Sequence, residues 1–532
     1  MALRLHVCLP SGLSCELGPF PPDSAVAELR SGAEKALGRP VRLMGLIGPD
    51  GLLEEHLSLQ SAKLHDHDTV GAIADWPKMA FTSSGRESSW GSGLLSAPTS
   101  LVRRLDPGRA SELPRGGVVT WGPARYGGDC SKVQALLETT QIQHVQSSDR
   151  AFAAILADGT VCCWGDGNFG GDSCSVQEQL VNVKQIKACN TCFGSSFAAV
   201  TCDGAVVTWG HERAGLGDPN YGIERPKLLE PVEELQSVDG FNGGAFAARS
   251  ANGAVSTWGD CKRGGDSRGV QEQLRQVRQL QASRNAFAAI TEPDGRVVTW
   301  GLQEGGGDST AVQDQLHHVE KIQVSCGFAG DAFAAIRSDG RVVTWGWAES
   351  GGDSSRVEGR LREVQELQAT SGAFCALRAD GRVVTWGRPL YGGHVPPEVS
   401  EQLREVQEIQ ASSGAFAALR RNGVVVAWGD PSFGGDCSEV QEQLTQVRQI
   451  QSTVSAFAAI SSAGTVVTWG FPSHGGDSSQ VQEQLKDVLE IQSTGRAFCA
   501  LTSDRRVVTW GEADFGGDSS HVQDRLREIL QP

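Results

Sequence analysis

The stretch "GGDSSQVQEQLKDVLEIQSTGRAFCALTSDRRVVTWG", residues 475–511, joins a Gly-Gly-Asp-Ser turn, a short amphipathic run, an apolar alternation and a Trp-Gly pair. Nearly the same series returns about ten times, with Trp-Gly intervals of 43, 45, 49, 42, 45, 41, 42, 41 and 41 residues. So regular a period indicates a repeat array, in which each unit buries its apolar face against its neighbours. The Trp-Gly pairs, predicted to be structural, begin at Trp121, Trp164, Trp209, Trp258, Trp300, Trp345, Trp386, Trp428, Trp469 and Trp510.

Within a unit, residues 331–346 ("DAFAAIRSDGRVVTWG") place two alternating runs around Asp339-Gly340. This pattern predicts a β-hairpin, and we expect a positive φ at both turn residues. The Phe-to-Trp spacing is 12 in eight of the nine complete units, the exception being Phe287 to Trp300. A third apolar segment, such as residues 489–494 ("LEIQST"), predicts another strand, so that each unit has three.

The segment between Trp-Gly and the next strand is predicted to contain a short helix. Val481, Leu485 and Val488 are spaced to lie on one helical face. Serines followed three residues later by Gln or Glu predict capping boxes at the helix starts. These pairs are Ser131/Gln134, Ser355/Glu358, Ser438/Gln441, Ser479/Gln482 and Ser520/Gln523.

The repeat "AFAAIRSDGRVVTWG" resembles that of the regulator-of-chromosome-condensation (RCC-like) family, over residues 116–532. The resemblance implies a β-propeller. Units near 41 residues are shorter than that family's blades, and ten units exceed the ~4–8 blades at which propellers normally close. The expected fold is therefore mainly β, as either an RCC-like β-propeller or an open β-repeat array. The end sequences, residues 116–122 and 526–532, suggest that the first and last units meet.

Residues 1–74 differ from the repeats and read as strand, turn, strand, helix and further strands, with Ser24 capping the helix. This order resembles the ubiquitin-like β-grasp (α+β) domain. No Gly-Gly follows Ala74, so the resemblance implies a module that docks on partners and is not conjugated. Residues 75–115 are rich in Gly, Ser and Pro and are predicted to be a flexible linker.

The net charge of −16 disfavours nucleic-acid and membrane partners, because an acidic surface repels phosphates and anionic lipid. No stretch approaches the ~20 apolar residues of a membrane span. We expect a cytoplasmic or nuclear protein that is not secreted, whose 14 cysteines are mostly reduced thiols.

No motif predicts catalysis or cofactor binding, so the expectation is a protein that is not an enzyme. The Gly-Gly-Asp aspartates could suggest calcium, but each loop reliably offers one carboxylate, and helix capping explains them. Cys189 and Cys192 form the one Cys-x-x-Cys pair of the cysteine-rich second unit. Structural zinc needs four ligands, so the sequence favours free thiols there over a metal or redox site.

These features favour a non-enzymatic scaffold or adaptor that binds protein partners through the repeat loops and the ubiquitin-like domain. The variable residues after each Trp-Gly are the expected contact positions. The ubiquitin-like module suggests a setting in ubiquitin signalling. The alternative, carried by the family resemblance alone, is guanine-nucleotide exchange on a small GTPase.

Overall fold

The computed structural model describes residues 3–8, 14–20, 24, 43–48, 51–53, 69–74, 119–216, 231–327 and 330–530. The predicted linker and the body of the predicted N-terminal helix lie outside these residues. The N-terminal part contains five strands in the order β2-β1-β5-β3-β4, with β1 and β5 parallel and the other neighbours antiparallel. These strands are β1 (Leu3–Cys8), β2 (Ser14–Phe20), β3 (Leu43–Gly48), β4 (Gly51–Leu53) and β5 (Thr69–Ala74).

The repeat region contains nine antiparallel sheets of three strands each within the described residues, which confirms three strands per unit but gives nine sheets where the sequence predicts about ten units. In each sheet the second strand in chain order lies between the first and the third. Successive first strands contact one another, from β6 and β9 to β24 and β27. The strands are β6 (Ile142–Ser147), β7 (Ala151–Leu156), β8 (Val161–Gly165), β9 (Val183–Thr191), β10 (Gly194–Thr201), β11 (Val206–Gly210), β12 (Val232–Asp239), β13 (Gly244–Ser250), β14 (Val255–Gly259), β15 (Val277–Ala282), β16 (Ala286–Thr291), β17 (Arg296–Gly301), β18 (Val319–Cys326), β19 (Asp331–Arg337), β20 (Val342–Gly346), β21 (Val364–Ala369), β22 (Ala373–Arg378), β23 (Val383–Gly387), β24 (Val406–Ala411), β25 (Ala415–Arg420), β26 (Val425–Gly429), β27 (Val447–Ser452), β28 (Ala456–Ser461), β29 (Val466–Gly470), β30 (Val488–Ser493), β31 (Ala497–Thr502) and β32 (Val507–Gly511).

The hairpin between the second and third strands has the predicted register but not the predicted turn. Phe333 pairs directly with Trp345, and Phe287 keeps the same pairing with Trp300 because the turn absorbs the extra residue. The expectation of two positive φ angles was wrong, since Gly340 has φ of 71° and Asp339 does not share this conformation. The Asp339 carboxylate instead accepts the backbone N–H of Arg341 at 3.1 Å, as in a hairpin loop with one left-handed glycine.

Most repeats are joined to the preceding one by a hydrogen bond from their buried tryptophan. Trp469 stacks on Phe457 at 5.3 Å between ring centroids, and its indole N–H donates to the carbonyl of Gly434 at 3.0 Å. Gly434 has φ of 88°, and a Cβ there would lie 2.6 Å from the Phe457 ring. The same bond links Trp164 to Gly127, Trp209 to Gly170, Trp300 to Gly264, Trp345 to Gly306, Trp386 to Gly351, Trp428 to Gly392 and Trp510 to Gly475.

The segments between repeats hold mostly single-turn 3-10 helices, where the sequence predicts α-helix. α-Helices occur at α1 (Gln134–Thr139), α2 (Pro397–Ser400) and α3 (Gln523–Leu530). The 3-10 helices after Trp-Gly are Ala124–Tyr126, Gly167–Phe169, Cys261–Arg263, Gln303–Gly305, Ala348–Ser350, Pro389–Tyr391, Pro431–Phe433, Pro472–His474 and Ala513–Phe515. Those after Gly-Gly-Asp are Cys174–Gln179, Thr310–Gln315, Glu358–Arg360, Ser438–Gln443, Gln482–Gln484 and Ser520–Val522.

The predicted capping boxes are wrong, because Ser479 and its equivalents do not cap these helices. Their backbone N–H groups donate to the preceding aspartate, as from Ser479 to Asp477 at 2.8 Å. The glutamine of the predicted box bonds the third strand instead: the Gln482 amide donates to the carbonyl of Val466 at 3.0 Å. The same bond joins Gln177 to Val161, Gln271 to Val255, Gln313 to Val297, Gln441 to Val425 and Gln523 to Val507.

The first and last segments of the array contact each other, as their sequences predict. The Trp121 indole donates to the carbonyl of Gly516 at 3.0 Å, which repeats the bond seen between neighbouring units. Arg525 pairs with Glu138 at 3.2 Å beside it. Residues at the two ends of the array therefore use the same unit-to-unit contact as residues within it.

Trp469→Phe tests this contact, with Trp258→Phe as its matched control. The Trp258 indole N–H is buried and has no acceptor within the described part of the chain, whereas that of Trp469 is bonded. Both changes shorten a buried aromatic side chain, but only Trp469→Phe breaks a hydrogen bond and leaves the Gly434 carbonyl unpaired. We expect Trp469→Phe to lower the free energy of unfolding by about 1 kcal/mol more than Trp258→Phe, measured by urea denaturation. Equal losses would mean that the bond contributes nothing measurable.

Candidate protein-binding face

Two sets of turns lie at the same end of every sheet. The strands of each sheet alternate in direction. The turn from first to second strand and the residues after Trp-Gly therefore lie at the same end of the sheet. We call these residues the loop face. Contacts confirm that they share one end: a Cβ at Gly194, the first residue of β10 after a first turn, would lie 2.7 Å from His211, which follows a Trp-Gly pair.

Six successive repeats place an aromatic or histidine side chain at one position of the loop face. This position is the fifth residue after the tryptophan of Trp-Gly. In chain order its occupants are Tyr126, Phe169, Ala214, Arg263, Gly305, Ser350, Tyr391, Phe433, His474 and Phe515. The six rings run from Tyr391 through Phe515 to Tyr126 and Phe169, because Arg125 and Asp514 join the last segment to the first at 3.7 Å.

Arginine side chains stack on these rings at two places. The guanidinium of Arg150 lies 4.5 Å from the Phe169 centroid and 5.4 Å from that of Tyr126. Arg496 lies 4.6 Å from the centroid of Phe515. Both arginines directly precede the Ala-Phe of a second strand. A cation over an aromatic face is attracted by the ring electrons, so these stacks hold the two half-buried arginines in place over the buried rings of Phe169 and Phe515.

Two glycines make room for two other rings. Gly372 and Gly414 occupy the position that Arg150 and Arg496 hold in their own repeats. A Cβ at Gly414 would lie 2.7 Å from the Phe433 ring, and one at Gly372 would lie 3.2 Å from the ring of Tyr391. The rings of Tyr391 and Phe433 therefore pack against the glycine backbone, and their centroids lie 6.5 Å apart.

Large apolar side chains on the loop face are also exposed to solvent. Phe193, Phe241, Leu390 and Phe471 are between 43% and 60% exposed. Arg213 stacks on Phe193 at 4.8 Å, and Phe471 lies 4.8 Å from His474. Exposed apolar groups beside fixed arginines form a surface with the composition of a protein interface.

The charged groups of the loop face are arranged in local pairs. Glu512 accepts from Arg496 at 3.0 Å and lies 3.7 Å from His474. Burial lowers the pKa of His474, and the nearby Arg496 lowers it further, against the opposing effect of Glu512. The imidazole is thus held toward its neutral form, in which its flat face can contact apolar groups.

A buried carboxylate ties neighbouring first turns together. Asp331 accepts the backbone N–H of Arg284 and the side-chain amide of Asn285, each at 3.0 Å. Burial raises the pKa of Asp331 to about 6, although Arg284 opposes this shift. Asp239 holds Asn190 in the same way, and burial raises its pKa as well.

The two cysteines weighed as metal ligands occupy different environments. Cys189 is fully buried, its thiol lies 3.3 Å from the carbonyl of Val238, and burial raises its pKa well above the usual value. Cys192 lies 4.0 Å from the amide oxygen of Asn242. In the described residues no three His, Cys, Asp or Glu side chains are grouped to hold a metal ion. The Gly-Gly-Asp carboxylates accept backbone N–H groups, as Asp172 does from Cys174 at 2.9 Å.

No protein-family model matches the chain, and no curated protein does either. Solved structures resemble it at low identity. Human WBSCR16 is 18% identical with a TM-score of 0.28, over 46% of this chain and 77% of that one. Prp20p from Saccharomyces cerevisiae is 15% identical with a TM-score of 0.30, over 66% and 95%. The computationally designed Ika8 protein is 15% identical with a TM-score of 0.29, over 70% and 96%. At TM-scores near 0.3, no partner or activity transfers to this chain from these proteins.

In the described residues no helix is long and apolar enough to span a membrane.

Of the two sets of turns that form the loop face, only the residues after Trp-Gly could be identified from the sequence. The predicted contact positions after Trp-Gly supply Tyr126, Tyr391 and His474, which the structure brings to one edge. The arginines of the first turns were missed, although a signal existed. The residue before Ala-Phe is arginine or glycine in several repeats whose post-Trp-Gly turn ends in an aromatic residue.

Asp331→Asn tests the buried turn contact through pH. The folded-state pKa is about 6, against an ordinary value of 3.8, so ionisation is easier in the unfolded chain. The native Asp331 therefore lowers the free energy of unfolding progressively as pH rises from about 4 through 6, by roughly 3 kcal/mol in total. Asparagine cannot ionise. The free energy of unfolding of the native protein minus that of Asp331→Asn should therefore fall as pH rises from about 4 through 6. Parallel pH profiles for the two proteins would contradict the assignment. The exposed Asp294→Asn serves as control.

Proposed function

We propose that this chain is a non-enzymatic scaffold that binds a protein partner through the loop face. One observation carries the proposal: exposed apolar side chains share the loop face with arginines that are held by cation–π stacking and ion pairs. Aromatic residues and arginine are enriched where interfaces derive most of their binding energy. Arginines that are already fixed lose little conformational freedom on binding, which favours affinity.

The distribution of these groups supports a binding surface that covers the ring-bearing repeats and extends, through Phe193 and Phe241, into the two repeats that follow Phe169. The ring-bearing repeats are consecutive, whereas Ala214, Arg263, Gly305 and Ser350 interrupt the pattern in the other four. Identical structural repeats thus carry different surfaces. Variation confined to loops on a constant framework is typical of repeat proteins that recognise partners.

The N-terminal part is proposed to be a second docking module. Strands β1 to β5 occur in the segments that resemble a ubiquitin-like domain, and this supports the proposal together with the sequence resemblance. A role in ubiquitin signalling would follow from it. Deletion of residues 1–74 should then remove ubiquitin-pathway partners while partners of the loop face remain.

Guanine-nucleotide exchange stays the alternative that the family resemblance suggests. A nucleotide-release assay with purified small GTPases tests it directly. Faster release in the presence of the chain would replace the scaffold proposal.

The triple variant Phe241→Ser, Leu390→Ser and Phe471→Ser tests the loop face. These side chains are exposed, so their loss should leave the unfolding transition unchanged. Partners captured by the native chain would be identified by mass spectrometry, purified and titrated. We expect the triple variant to bind a loop-face partner at least tenfold more weakly, a loss of ~1.4 kcal/mol or more.

The matched control is Leu136→Ser with Val181→Ser. These apolar side chains have similar exposure but lie in the segments leading to first strands. The control should bind as the native chain does. Equal binding by native, triple-variant and control proteins would overturn the proposal.

A further inference from the structure

A groove lined by arginines lies beside β23 and adjoins the loop face at Arg388 and Pro389. Its volume is 1110 Å³, and it runs between the segment after β20 and the segment after β23. The wall includes six arginines and two carboxylates, Glu349 and Asp353. The arginines are Arg356, Arg360, Arg378, Arg382, Arg388 and Arg404. On a chain of net charge −16 this is a local reversal of sign.

The concentration of arginine belongs to this one groove. The positions equivalent to Arg356 in the next repeats with the Gly-Gly-Asp segment are Glu439 and Gln480. Those equivalent to Arg388 are Asp430 and Phe471. Arg356, Arg360 and Arg388 therefore depart from the repeat pattern. Arg378, Arg382 and Arg404 have arginine equivalents in other repeats, such as Arg337, Arg341 and Arg362.

Some of these arginines are in ion pairs and others are not, although the charge of Arg356 contributes to lowering the pKa of Asp353. Asp380 accepts from Arg378 at 3.3 Å and lies 3.9 Å from Arg382, and Glu349 pairs with Arg388 at 2.9 Å. Arg356, Arg360 and Arg404 have no ion-pair partner among the described residues. The Nε of Arg378 is buried, and the described part of the chain offers it no acceptor.

The strand at the floor of the groove is less covered than its equivalents. Like every third strand of the described repeats, β23 is hydrogen-bonded only to the second strand of its own sheet; it differs from most of them in what lies over its free edge. In six repeats a glutamine amide donates to the first carbonyl of the third strand, as from Gln441 to Val425 at 3.1 Å. The residue at that position after β23 is Ser400, counted back from the shared leucine, Leu403. A serine side chain is shorter than glutamine and has no amide group, so Ser400 cannot make the glutamine's hydrogen bond to the Val383 carbonyl.

An uncovered strand edge and flanking arginines suit one kind of ligand. An extended peptide can add to the edge through main-chain hydrogen bonds, and its alternate side chains then point to the same wall. Carboxylates on those side chains would meet guanidinium groups, which bind them through paired hydrogen bonds. We propose that the β23 groove binds an extended acidic segment of a partner protein.

The proposal is tested by fluorescence anisotropy on the full chain. The probe is a fluorescein-labelled peptide, Glu-Thr-Glu-Val-Glu-Thr-Glu, and the charge control replaces each Glu with Lys. We expect saturable binding of the acidic peptide only. Preference for a labelled oligothymidylate over the acidic peptide would overturn the proposal, as would the absence of saturable binding.

Two variants separate the charge from the strand edge. Arg356→Gln, Arg360→Gln and Arg382→Gln should weaken peptide binding about tenfold or more, because each lost guanidinium–carboxylate contact is strong. Ser400→Gln restores the amide found in six other repeats and should weaken binding about fivefold by covering the strand edge.

The control Arg275→Gln, Arg296→Gln and Arg421→Gln removes as much charge outside the groove and should bind within about twofold of the native chain. Equal losses in the control and groove variants would show non-specific attraction and overturn the site. Native affinity in Ser400→Gln would overturn the part of the proposal that concerns the strand edge. Because the loop-face variants change none of these residues, the two proposals can fail separately.

Discussion

The structure of the array depends on a tryptophan that reaches back to the preceding repeat. Its indole N–H finds an acceptor in a glycine carbonyl, while its ring stacks on the phenylalanine of its own second strand. A three-stranded sheet this small buries too little on its own, so a repeat is stable only with a neighbour on which to pack. The left-handed glycine is part of the same contact, because any side chain there would collide with the phenylalanine ring.

This constraint leaves the ends of the sheets free to vary. The positions that contact the neighbouring repeat are almost the same throughout, whereas the turns differ in length, charge and ring content. The loop face and the β23 groove both arise from such departures. In one, arginines and rings replace small residues in the turns; in the other, a serine stands where the repeat usually has a glutamine.

Much of the fold could be predicted from the sequence because its signals are local and repeated. The Phe-to-Trp spacing determined the hairpin register, and the alternation of apolar residues located all three strands. The capping boxes failed because Ser479 and Gln482 match a local helix pattern while a non-local partner, Val466, claims the glutamine. The positive φ expected for Asp339 does not occur. Its carboxylate accepts the backbone N–H of Arg341, and the turn needs only Gly340 in the left-handed conformation. The loop face was half predicted: a list of variable positions shows where contacts can be made, but not that Arg150 would stack between Tyr126 and Phe169.

The bond from Trp121 to Gly516 also bears on the order in which the protein assembles. Its partners are 395 positions apart, whereas the other tryptophan–glycine pairs are separated by 35 to 39. Each short-range pair can form as soon as the next repeat has been synthesised, so the array can grow in step with translation. The long-range bond must wait for the whole array and carries the greatest loop-closure entropy, which makes it the final step of folding.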